Sequence, residues 1–126
     1  MNDTIVLDRN KVYSSYYARA CKIIPDWRIT SISIGIPDNF NGNILRELNP
    51  PKELLFDYKN GICNDTEYIE RYYSNVLNKL NPLDIYNKIK GQVLVCYCGK
   101  DKFCHRHIVL DWLRNSLGDS IIGGEI

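Results

Sequence analysis

Hydrophobic and polar positions change period along this chain, and the changes mark its elements. From Gln92 to Cys98 the residues run apolar without alternation, reading QVLVCYC. Such a run predicts a strand buried on both faces of a mainly parallel sheet. Arg28 to Pro37 instead mixes Ile29, Ile32, Ile34 and Ile36 with small polar residues, which predicts a strand ending at Gly35 and Pro37. Thr4 to Leu7 is a shorter candidate strand, and Ser120 to Ile126 reads as a last one.

Between these segments the apolar positions recur at helical spacing. Ile69, Tyr72, Tyr73, Val76, Leu77 and Leu80 form a stripe that predicts a helix over Asp65 to Leu80, with Asn64 as N-cap and Glu67 three residues on. Pro82 opens a shorter helix through Leu83, Ile85, Tyr86 and Ile89, stopped by Gly91. His105 to Leu117 predicts a helix burying Val109, Trp112, Leu113 and Leu117, with Gly118 as its stop. Tyr17, Ala20, Cys21 and Ile24 predict a short helix within Ser14 to Ile24. The stretch from Asn39 to Asn49 reads as a loop, and Pro50-Pro51 then lead a helix through Leu55 and Tyr58 that Gly61 ends. Strands alternating with helices imply one α/β domain over residues 1–126, a three-layer α/β/α sandwich with a mainly parallel sheet. Ligands of such sheets bind beyond the carboxyl ends of the strands.

Composition narrows the function classes. Sixteen basic residues against fifteen acidic ones leave a net charge of +1, which argues against extended nucleic acid as a partner but leaves room for a local basic pocket. No apolar run approaches the roughly 20 residues of a membrane span. The opening MNDTIVLDRNK lacks the basic and apolar segments of a secretion signal, so a cytoplasmic location is expected. Five cysteines, an odd number, fit free thiols better than a disulfide framework.

The chemistry concentrates in VLVCYCGKDKFCHRHIVLDWL, Val93 to Leu113, which holds three of the cysteines and both histidines. Metal binding by Cys96-x-Cys98 and His105-x-His107 is disfavoured by geometry. Two residues apart on a strand or helix is the wrong spacing for a usual zinc site. An anion pocket fits better, with Lys100, Lys102 and Arg106 around a helix N-terminus and the Arg106 fork holding phosphate or carboxylate. Arg106→Ala is then expected to lose the ligand with the fold intact. Ser14, Ser15, Tyr16 and Tyr17 are candidates for the opposite wall, and His107 for a further ligand contact. Cys104, near the helix N-terminus, is the candidate nucleophile, with His105 as acid or base. Cys96 and Cys98 read as core thiols, as do Cys21 and Cys63. No cofactor follows from these residues.

The chain also resembles a known family. Ser14-Ser15-Tyr16-Tyr17-Ala18, the strand Ile32 to Pro37, LNPPKELLFDYK from Leu48 to Lys59, Glu67-Tyr68 to Tyr72, Leu94 to Cys98, and Phe103-Cys104-His105-Arg106-His107 with Trp112-Leu113 are similar to DUF488, the domain-of-unknown-function family four hundred and eighty-eight. The likeness covers nearly the whole chain, and Cys-His-Arg is its most specific part. Many members carry Cys-x-Glu where this chain has Cys96-Tyr97-Cys98. The resemblance implies an α/β/α fold with a pocket at the Cys-His-Arg turn, and brings no established reaction. The expectation is therefore a binder of a phosphorylated small molecule, a nucleotide or its derivative, that either sequesters, senses or processes it. The alternative is a zinc-stabilised interaction module for protein or nucleic acid.

Overall fold

A computed structural model describes residues 6–99 and 102–126. Among these residues five parallel strands form one sheet in the order β3-β2-β4-β1-β5: β1 Val12–Tyr16, β2 Ile29–Ser31, β3 Asn43–Ile44, β4 Val93–Cys96 and β5 Ile122–Glu125. Five helices accompany it, α1 Tyr17–Ile23, α2 Lys52–Lys59, α3 Asp65–Asn75, α4 Pro82–Ile89 and α5 His105–Leu117. The α/β class with a parallel sheet is as the periodicity implies.

β4 is the centre of the sheet because its side chains are apolar on both sides. Val93 and Val95 pack with Tyr17, Ala20 and Ile24 of the α1 region, while Leu94 joins the larger core of α2 to α5 on the opposite face. The split follows from the two-residue period of a strand. In α3, Asn64 and Glu67 form the capping box that their spacing predicts, each side chain bonding the other's backbone N–H. Gly118 ends α5 at φ 99°, with its N–H on the Arg114 carbonyl.

Several boundaries differ from expectation. The segment Ser14 to Ile24 is divided: its first residues belong to β1, paired with β4, and the helix starts only at Tyr17. Ser14 and Ser15 are fully buried, so two small hydroxyl residues occupy the middle of a strand. The strand in Arg28 to Pro37 stops at Ser31. The Ile32 N–H still bonds the Val95 carbonyl at 3.1 Å, and the chain then bends, closed by the Ser33 hydroxyl donating to the Gly35 carbonyl at 2.5 Å. Asn39 to Asn49, expected as a loop, contains β3. The helix from Asp65 ends at Asn75 and a 3-10 turn, Leu77–Lys79, follows. Another 3-10 turn, Asp119–Ile121, takes the first part of the expected terminal strand. Of the candidate strand Thr4 to Leu7, residues 4 and 5 lie outside the described residues, and Val6 and Leu7 are in no strand. Cys21 is exposed rather than core, on the outer side of α1.

Because the strands are parallel, Tyr16, Ser31, Cys96 and Glu125 all reach the same edge of the sheet. α5 begins at that edge.

Candidate functional site

The site is built where the end of β4 meets the start of α5. Cys104 is the N-cap of α5 and makes no side-chain capping bond, so its sulfur is free to face the sheet. It meets Cys96, the last residue of β4, with the two sulfurs in direct contact. Their Cα atoms are 7.8 Å apart. That exceeds the roughly 7 Å that a relaxed disulfide spans without backbone movement.

His105 completes the cluster. Its Nε2 lies 2.7 Å from the Ile32 carbonyl oxygen, which only accepts, so Nε2 carries the proton and donates. Nδ1 is left with its lone pair, 3.6 Å from Cys104 Sγ. Burial pushes the imidazole pKa down to about 4; the bond to Ile32 opposes this, and the charges of Arg106 and His107 add to it. The ring is therefore neutral near pH 7.

Arg106 is the largest fully buried side chain of the fold. Nε donates to Glu125 Oε1 at 3.2 Å and Nη2 to Glu125 Oε2 at 2.8 Å. Nη1 donates to Cys96 Sγ at 2.9 Å and to the Cys98 carbonyl at 2.7 Å, and Nη2 also to the Gly99 carbonyl at 3.1 Å. All of the guanidinium's N–H groups are thus engaged inside the protein. The fork expected to clamp a ligand anion holds Glu125 and the backbone after β4. Arg106 positions the turn.

Glu125 was not among the residues singled out from sequence. It accepts a hydrogen bond from Ser14 Oγ and lies 3.9 Å from His107 Nδ1. Burial alone would raise its carboxyl pKa, but hydrogen bonds from Arg106 and Ser14 and the charges of Arg106 and His107 hold it below the usual carboxylate range.

The remaining candidates divide around the sheet edge. Ser14 serves Glu125, and Ser15 Oγ is buried without a hydrogen-bond partner among the described residues. Tyr17 turns to the α1 face, its hydroxyl shared by Ser31 at 2.6 Å and Ser33 at 2.5 Å. With Tyr16 it lines a hollow of 380 Å³ there, closed on one side by Tyr97, whose ring centroid is 4.8 Å from that of Tyr17. His107 is half exposed and Lys102 exposed, while Lys100 lies outside the described residues.

Cys96, Cys104 and His105 instead border a cavity of about 460 Å³ on the other side of Tyr97. Its walls are aromatic. Phe103 stacks on Tyr58 with centroids 5.0 Å apart, Tyr68 meets both edge-on at 5.2 Å, and Lys59 and Cys98 also line the space. Phe103 and Tyr68 stood in the segments that carried the family likeness, yet nothing in their spacing marked them as one wall.

A family model described as the active DUF488-N3 subclade, DUF488-N3a, matches residues 22–117. The chain belongs to the DUF488 family. No curated protein and no solved structure matches it. The DUF488 match takes in Cys96, Cys104, His105, Arg106 and the aromatic wall, but neither Ser14 nor Glu125. In this DUF488 chain the carboxylate at the turn arrives from β5.

Proposed function

We propose that this chain binds a small molecule built on a flat ring, a nucleotide or nucleotide derivative, in the cavity at the carboxyl edge of the sheet, where Cys104 and His105 meet it. The observation that supports this reading is the cavity itself: Tyr58, Tyr68 and Phe103 on its walls, a thiol pair and a neutral imidazole at one end. Its volume lies within the roughly 300–1,000 Å³ common for small-ligand sites. Flat rings gain from aromatic walls whichever base they carry, because every base presents a π-face. With Arg106 saturated, phosphate falls to Lys59 on the lining and Lys102 beside Phe103.

Calorimetric titration with nucleoside monophosphates, against ribose 5-phosphate as the ringless control, tests the reading. Nucleotides are expected to bind and the sugar phosphate not, and Phe103→Ala is expected to weaken binding about tenfold by removing one stacking face. Equal binding of the sugar phosphate, or an unchanged Phe103→Ala, would show that the aromatic wall is not the ligand surface. Mass spectrometry of the recovered nucleotide distinguishes holding from processing.

A further inference from the structure

We propose that Cys96 Sγ, Cys104 Sγ and His105 Nδ1 form a three-ligand site for a divalent transition metal of the zinc class, open toward the aromatic cavity. The pairings disfavoured by sequence spacing, Cys96 with Cys98 and His105 with His107, are not the ones that form. Folding crosses them, bringing the end of β4 onto the first turn of α5. The donor atoms of Cys96, Cys104 and His105 all lie within 4.8 Å of one another, and all three residues are buried. This is a distance at which small side-chain adjustments place each donor about 2.0–2.3 Å from one shared ion.

Three further features fit a metal better than inert core thiols. His105 gives its Nε2 proton to the Ile32 carbonyl, the outer contact that fixes a metal-binding imidazole and presents the other nitrogen. Arg106 donates to Cys96 Sγ, which favours the thiolate, the form that binds metal. The charges also balance: Glu125 answers Arg106, so two thiolates remain to neutralise a divalent cation. Binding releases the two thiol protons to solvent and changes no oxidation state.

All three residues line the cavity, which leaves the fourth coordination position to water or to a bound molecule. Three protein ligands with an open fourth position are the pattern of catalytic rather than structural zinc. This site does not depend on which ligand the cavity takes.

Cobalt(II) chloride titration of the reduced, metal-free protein tests the proposal, since cobalt substitutes for zinc and its thiolate charge-transfer absorbance counts bound sulfurs. Saturation at one cobalt per chain is expected, with strong tetrahedral visible bands and an absorbance equivalent to two thiolates. Cys104→Ser should lower the charge-transfer absorbance by about half, or abolish binding, and His105→Ala should weaken affinity at least tenfold. The exposed Cys21→Ser is the control and should match the parent. Failure of the parent protein to bind cobalt stoichiometrically would overturn the site. Absorbance equivalent to three thiolates, reduced by Cys98→Ser, would overturn its open position and make it a closed structural centre.

Discussion

Arg106 and Glu125 set the residue scale, because a buried cation without its carboxylate is among the costliest defects a small core can hold. Arg106 has no exposed side-chain surface, and Glu125 is mostly covered. Arg106→Met would leave Glu125 and the Cys98 and Gly99 carbonyls without their donor, and is expected to cost about 3–5 kcal/mol in urea denaturation. Arg106→Lys keeps the charge but not the fork and should fall between the two. A variant as stable as the parent would show that the buried pair does not hold the turn. The carboxylate also makes a pH prediction. Its folded pKa lies below its unfolded value, so its contribution is fully present above the ordinary carboxylate pKa, near 4.5, and is lost as pH falls through the lower folded value. Glu125→Gln should therefore lower stability at pH 7 and flatten the acid side of the stability profile below pH 4.5. An acid profile unchanged by Glu125→Gln would assign the acid loss to other groups.

At the scale of elements, β5 reaches the site through one unusual residue. Gly124 has φ 91°, a conformation that side chains other than glycine's rarely accept, and it directly precedes Glu125. Gly124→Ala is expected to cost about 1–2 kcal/mol and to re-aim the carboxylate. It should reproduce part of the Glu125→Gln acid profile, whereas Gly99→Ala, with open space around its Cβ, should not. Sequence periodicity was most legible where apolar burial alone decides the element. β4, the α3 stripe with its capping box, and α5 with its glycine stop could all be read directly. β1 could not, because Ser14 and Ser15 turn a central strand polar where it serves the site, and the helical spacing from Tyr17 onward absorbed them. β2 is shorter than its isoleucines suggest because Ile34 and Ile36 lie beyond a bend that the Ser33 hydroxyl closes. The site itself was half legible. Cys104, His105 and Arg106 are one contiguous motif, but whether Arg106 is free or saturated depends on Glu125, which arrives from another strand.

On the scale of the whole molecule, the order β3-β2-β4-β1-β5 gives the strands unequal security. β4 is paired on both sides and buried throughout, while among the described residues β5 pairs with β1 alone and is half exposed. Hydrogen exchange should therefore be slowest at the amides of β4, where only global unfolding exposes them, and faster at β5, where local opening suffices. The consequence reaches the candidate site. Opening of β5 carries Glu125 away from Arg106, so the buried guanidinium depends on the less secure edge while Cys96 sits on the most secure strand. Glu125→Gln removes a contact that the opened state has already lost, and should speed exchange in β5. At β4 it should speed exchange only by the amount that global stability falls. Equal protection of β4 and β5 in the parent protein would mean that the strand and its carboxylate unfold only with the core, and that the edge position gives this site no independent mobility.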